Sequence, residues 1–367
     1  MTHRERLLRT LRYETVDRTP DLEFGAWEQT IDRWHKEGMP EKYKGVWEAI
    51  SGYFHTDEAE YGPRPQVNIG LFPRFESKII EEKKDHIIVQ DEDGAISEQM
   101  RPELGASIPK YLQYAIETHK DWERIRDERL NPDAPGRIPQ NLEELCKSTF
   151  EADYPIFLGC GSLYGWLRNW IGMERISMMF YDDPELIEEI MDHLVALTLK
   201  MFENVAGKCK IDCGTWWEDM CFNKGPLISP RIFSQFLVPR YKKITGFLRR
   251  ECGCEFHILD CDGNIHELVP FWLEGGINVM FPLEVAHTDV FKIAKQFGRR
   301  IAFRGYFDKR ALIAGKEAID REFKRLKPLL RRGGFIPHTD HLVPPDVSWE
   351  NYKYYRKKKK EFIKGCK

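Results

Sequence analysis

Three polar clusters stand where short apolar runs end: Asp260-Cys261-Asp262-Gly263, Pro282-Leu283-Glu284 and His338-Thr339-Asp340-His341. Carboxylates and imidazole are the groups that move protons near neutral pH, and the same groups ligate zinc. The clusters therefore point to acid/base or metal chemistry. One aspartate suffices to cap a helix beginning after Gly263; Asp260 and Asp262 together exceed that need. His341, beside Asp340, is a candidate ligand or general acid/base, while Glu284 is a candidate metal ligand, proton acceptor or brace. If the strand continues through Cys261, its thiol points opposite to Asp260 and Asp262. A fourth cluster, Trp216-Trp217-Glu218-Asp219, sets aromatic faces beside acids, which suits a flat, partly apolar ligand. The bland alternative places one tryptophan in the core and pairs Glu218 with an arginine such as Arg168. Trp27 and Tyr306 are candidate walls of the same pocket, and Trp27 fits outer packing as well.

Strand-like residues precede each of the first three clusters, at 255–259, 277–281 and 334–337, and helical patterns or the final segment follow. Parallel strands whose C-terminal ends converge on one site are the layout of a (β/α)8 barrel. The same rhythm recurs at residues 22–25, 155–158, 210–214 and 300–304, separated by stretches such as 184–207 and 230–250 with apolar residues at helical spacing. Between 68 and 100 the pattern alternates instead like antiparallel strands, with a turn at Asp91-Glu92-Asp93-Gly94. The expectation is α/β: a single (β/α)8 TIM barrel over residues 1–367 with an inserted N-terminal β-hairpin at about 68–100.

Composition narrows the function classes. With 367 residues, 42% hydrophobic and 31% charged, a large core is assured, and a net charge of −3 offers no basic field for nucleic acid. The basic run from Arg356 to Lys360 reads as the solvated face of a last helix. No apolar stretch approaches the roughly 18 residues of a membrane span, and the charged start Met1-Thr2-His3-Arg4-Glu5-Arg6 is unlike a signal peptide. No membrane association and a cytoplasmic location are expected. Nine scattered cysteines argue against a disulfide framework and for reduced thiols. P-loop, dinucleotide-fingerprint, His-Glu-x-x-His and nucleophile-elbow motifs are absent, which disfavours ATP, nicotinamide and serine-hydrolase chemistry.

The residues Arg4-Glu5-Arg6 with Asp17-Arg18-Thr19-Pro20, Asp182-Asp183-Pro184-Glu185, Glu218-Asp219-Met220, Ile228-Ser229-Pro230, Asp262-Gly263, Pro282-Leu283-Glu284, and Gly333-Gly334 with Asn351-Tyr352 resemble the uroporphyrinogen decarboxylase superfamily. That superfamily includes corrinoid-dependent methyltransferases, and the resemblance spans nearly the whole chain. It implies a barrel with its cleft at the C-terminal face. The decarboxylases carry an arginine-rich motif of the form R-Q-A-G-R-Y. Here the corresponding stretch is Phe24-Gly25-Ala26-Trp27-Glu28-Gln29-Thr30, with no arginine before Arg33, and Glu23 and Glu28 suit a polycarboxylate poorly. The methyltransferases hold zinc with a His-x-Cys pair and a distant cysteine. Asp260 and Asp262 stand at the pair's place and His341 near the third, a harder set matched to an ether or hydroxyl oxygen.

The resemblance thus implies transfer of a methyl group from a small, methoxylated donor to a separate corrinoid protein. Asp260, Asp262, Glu284 and His341 would hold Zn(II) or a proton, and Trp27, Trp216, Trp217 and Tyr306 would line the substrate pocket. Glu218, Asp219, Asp340 and His341 would act on the substrate. Two alternatives stand beside it: decarboxylation of a tetrapyrrole or smaller acid, and non-catalytic tetrapyrrole or corrinoid binding. Superfamily members often dimerise, so a homodimer is also implied.

Overall fold

The computed structural model describes residues 1–101 and 109–365. Four antiparallel strands come first: β1 (Lys78–Glu82), β2 (His86–Gln90), β3 (Ile96–Met100) and β4 (Lys110–Gln113), ordered β1-β2-β3-β4. The sequence predicts the middle of this sheet. Asp91 shapes its central turn by accepting from the Asp93 and Ala95 amides at 3.0 and 2.9 Å. The following strands are β5 (Phe157–Gly161), β6 (Cys213–Trp217), the short antiparallel pair β7 (Cys221–Phe222) and β8 (Gly225–Pro226), then β9 (Phe256–Cys261), β10 (Val279–Pro282), β11 (Ala302–Phe307) and β12 (Phe335–Thr339). Six of them form one parallel sheet in the order β12-β11-β10-β9-β6-β5. Each observed strand starts two or three residues after its predicted start at 155, 210, 255, 277, 300 or 334, or one residue after in the case of β9 and β12. It also runs on into the polar cluster, so Asp260, Trp217 and His338 lie within strands.

Residues 22–25, expected as the first strand, form no ladder. The chain there touches the sheet's end through an isolated Ala26–Val343 bridge, with Trp27 N–H donating to the Val343 carbonyl at 3.1 Å. Leu22 nevertheless joins the inner apolar cluster with Leu7, Phe157, Ile258, Val279 and Ile336.

Local signals explain the helices. Thr2 and Glu5 form a reciprocal capping box on His3–Leu11. Asp183 accepts from the Leu186 amide and Pro184 begins Pro184–Phe202, whose buried stripe comprises Ile187, Ile190, Met191, Leu194 and Met201.

The last helix, Trp349–Phe362, departs from expectation. Arg356 and Lys359 are 1% and 0% exposed rather than solvated. Arg356 meets Asp21 at 2.8 Å and also contacts Glu23, and Lys359 reaches Glu23 at 2.7 Å. Helical spacing put the basic residues in one run, but two of them face inward onto acids more than 330 positions earlier. Glu23 is therefore neutralised by the framework and gives no field against an acidic ligand. One cysteine pair also departs from expectation: Cys146 and Cys209 are bonded, with sulfurs 2.04 Å apart across a sequence separation of 63. Cys261 is buried among apolar residues on the helix-facing side of β9. Among the described residues no helix is long and apolar enough to cross a membrane.

Candidate active site

Period-two alternation sorts each strand between two faces. On β9, Phe256 and Ile258 enter the inner cluster, whereas Leu259 and Cys261 pack against the helices. Asp260 continues the inner row. Trp217 and Phe281 pair with Asp260, Thr215 stands one step back opposite Ile258, and Arg304 pairs with Ile336, two residues before His338. This row borders a cavity of about 360 Å³ lined by Trp166, Trp217, Asp260, Phe281 and Arg304. A larger cavity of about 1070 Å³ adjoins it, with Glu58, Tyr61, Arg64 and Phe157 in its wall; Thr215 and Arg304 border both.

Burial pushes the Asp260 carboxyl from its ordinary 3.8 up to about 7, reinforced by Asp262 and Asp219 and opposed by His341 and Arg304. The result is a carboxylic acid that keeps its proton on a substantial fraction of molecules at neutral pH, beside the aromatic side chains Trp217 and Phe281. His341 Nε2 lies 3.3 Å from Asp262 Oδ2, and this hydrogen bond raises the imidazole above its usual value. The other oxygen of Asp262 is buried without a partner. His338 is fully buried, with Nδ1 on the Thr339 carbonyl and Nε2 unpartnered; burial and the Arg304 charge hold it well below the usual imidazole range. It is a neutral ring against Phe281.

Arg304 was visible in sequence as a charge inside the apolar run Ile301-Ala302-Phe303-Arg304-Gly305-Tyr306-Phe307. It packs over the Phe281 ring, 5.1 Å from the centroid, a contact worth about 0.5–2 kcal/mol. Among the described residues it makes no salt bridge or hydrogen bond, and its Nε is buried without a partner. Gly305 follows because a side chain there would overlap the Pro282 carbonyl. Gly263, at φ +76, is required similarly: a Cβ would meet the Cys221 and Phe222 carbonyls at 2.8 and 2.7 Å.

The profile of the uroporphyrinogen decarboxylase (URO-D) family matches residues 98–362. The chain belongs to the uroporphyrinogen decarboxylase family. It is 27% identical over 201 residues to the uroporphyrinogen decarboxylase of Geobacter metallireducens, covering 54% of this chain and 55% of that one. It is 26% identical over 257 residues to that of Geobacter sulfurreducens, covering 65% and 69%. The alignment thus spans little more than half of the first relative's length. Among solved structures, a methyltransferase from Methanosarcina mazei superposes with a TM-score of 0.60 at 17% identity, covering 99% of both chains. That likeness is one of fold.

Within this family framework, the other expected site residues have structural duties. Glu218 is 0% exposed; its carboxylate accepts from Tyr241 Oη at 2.6 Å, Ser162 Oγ at 2.8 Å and the amides of Leu163, Tyr164 and Gly165. It ties β6 to the start of the helix Gly165–Ile171, out of reach of a substrate. The Glu218→Gln variant should lose about 1–3 kcal/mol of stability, read by urea denaturation, because the amide presents a donor where only donors converge. Asp219, rather than Glu218, meets Arg168, at 2.6 Å. Asp340 accepts from Lys309 N–H at 2.9 Å and Val285 N–H at 3.0 Å, and burial raises it to about 6. Glu284 accepts from Gly263 N–H at 2.9 Å and lies 3.8 Å from Lys309 Nζ. Both carboxylates brace the loops at the strand ends.

Of the aromatic candidates, Trp216 and Trp217 both border the smaller cavity, and Trp217 is the one in register with Asp260. Trp216 is 2% exposed, donates to His257 Nδ1 and packs on Tyr241 among the outer helices. Tyr306, at φ +61, turns out of the row and packs with Phe291 and Arg325. Trp27 is 47% exposed, next to the Glu28–Lys36 helix, and borders neither cavity.

The expected zinc donors do not fit a metal as arranged. Among the described residues no three His, Cys, Asp or Glu side chains converge on one point. Asp262 and His341 bond each other, and Glu284 is committed to Gly263 and Lys309. Sequence reasoning missed Glu58, Tyr61 and Arg64, which lie in the irregular stretch before β1, where periodicity gives no signal.

Proposed function

We propose that this chain is a methyltransferase of the URO-D superfamily, built as a (β/α)8 barrel, that takes a methyl group from a small methoxylated donor and passes it to a corrinoid protein with acid assistance. The observation that carries the reading is Asp260: a proton-bearing carboxylic acid at a strand end, in an aromatic cavity of about 360 Å³. A cavity of that size accepts a small donor and excludes a corrin macrocycle, so the acceptor would be presented at the mouth by its own protein. The reduced corrinoid supplies the nucleophile for the methyl group.

Asp260 donates its proton to the donor's ether oxygen as the methyl–oxygen bond breaks, so an alcohol leaves rather than an alkoxide. Trp217 and Phe281 hold the apolar body and exclude water, which keeps Asp260 protonated. The Asp262–His341 pair lies beside it and can return a proton from solvent to Asp260 after turnover. The methyltransferase named as a structural neighbour supports this reading at the level of fold.

The test is a single-turnover assay with 4-methoxybenzoate, 2-methoxyphenol and methanol as donors and chemically reduced free cobalamin as acceptor. Protein-dependent formation of methylcobalamin is expected with at least one donor. Decarboxylation of an acidic substrate is the second reading, favoured by the unpaired Arg304 and by the relatives' names. Release of carbon dioxide from uroporphyrinogen, with no methyl transfer from any donor, would establish it instead.

A further inference from the structure

Arg304 borders both cavities, yet no acid neutralises it. Glu58 and Asp260 are near enough to feel its charge, but neither forms a salt bridge with it. Burial raises both carboxyls to about 7, so near neutrality each carries only part of a negative charge. A half-buried cation left without a partner costs the fold stability, and packing over Phe281 returns only part of that cost.

The same cavity wall holds two more unpartnered buried polar atoms. Glu58 Oε1 accepts from the Glu23 amide at 3.0 Å while its Oε2 has no partner, and Tyr61 Oη has none either. The Arg304 guanidinium has five N–H donors in a planar fork, Tyr61 has a hydroxyl donor, and protonated Glu58 has another. Unpartnered donors at this end of the cavity are complementary to an anion, and a planar fork matches a carboxylate. Glu23 does not oppose this, because Arg356 and Lys359 already neutralise it.

We infer that Arg304, Tyr61 and Glu58 form a carboxylate-binding subsite, and that the substrate is a small organic monocarboxylate whose apolar body extends from Arg304 into the smaller cavity beside Trp217 and Phe281. The inference rests on the reading of that cavity as the substrate site, and it places the ligand's acid group opposite the end that meets Asp260. Arg304 is thus a specificity-determining residue.

Calorimetric titration of the full chain with three acids, acetate, benzoate and 4-methoxybenzoate, each paired with its neutral amide, tests this without any turnover. The wild type should bind at least one acid about tenfold or more tightly than its amide. R304Q should abolish that preference, and Y61F should reduce it. R304Q should also melt no lower than wild type, because it removes an unpaired charge. No preference for the acid in any pair, or a preference that survives in R304Q, overturns the subsite. A lower Tm for R304Q would place Arg304 in the framework and overturn it too. Acid preference in a protein that transfers no methyl group keeps the subsite and removes the proposed reaction, so the two failures are distinguishable.

Discussion

The Asp260→Asn variant is expected to lose at least about 100-fold in turnover at neutral pH, the usual range for removal of a general acid. The amide fills the same space and removes the transferable proton. The wild-type rate should fall as pH rises through about 7, where Asp260 gives up its proton, and that alkaline limb should vanish in the variant. The variant's stability should move opposite to its activity. The folded protein keeps this proton up to about 7, whereas the unfolded chain releases it near 3.8, so between those values the folded state binds more protons. Raising the pH through this window therefore removes stability, by up to about 4 kcal/mol for this group. D260N should consequently gain Tm over wild type at pH 8 and show a smaller gain at pH 5. A variant that retained more than about a third of the wild-type rate, with its alkaline limb intact, would exclude Asp260 as the acid.

The Arg356→Met variant is expected to lose about 3–5 kcal/mol, because it leaves acids buried and short of a cation. Asp21 illustrates the stakes: burial pushes its carboxyl up, yet Lys359 and Arg356 outweigh burial and hold it at about 2. With Arg356 gone, Lys359 alone must serve Asp21 and Glu23. Native Asp21 is depressed below the unfolded value, so its contribution is present at neutral pH and fades as pH falls toward 2. The stability gap between wild type and R356M should therefore narrow in acid, as urea denaturation at pH 7 and pH 3 would show. An unchanged midpoint at pH 7 would mean that the network contributes nothing net.

Much of the strand and helix framework was legible because its signals are local. Asp183-Pro184 and Thr2 with Glu5 start helices by satisfying the first free amides, which needs only neighbours in sequence. The apolar runs of β5, β6 and β9–β12 are legible too, but periodicity ends them too early. A polar residue ends an apolar pattern without ending a hydrogen-bonded ladder, and Trp217 opposite Asp260 is still in register. Residues 22–25 read as strand from composition alone, and they share the inner core without pairing, since pairing depends on what lies alongside.

By itself, the sequence determined the α/β class, the family, the rows of residues along each strand and the presence of acids at the strand ends. The family follows from the resemblance of its motifs; the rest follows from periodicity and spacing, which are properties of neighbouring positions. Which acids are free to act was decided only in three dimensions. Glu218, Asp340 and Glu284 look like Asp260 in sequence, but converging amides occupy them, while Asp260 meets an aromatic cavity and keeps its proton. In the same way Arg356 is a fully buried arginine paired across more than 330 residues, whereas Arg304, half-buried at the cavity wall, is unpaired. A side chain's charge state and availability depend on burial and on partners distant in sequence, and only the tertiary structure brings those together.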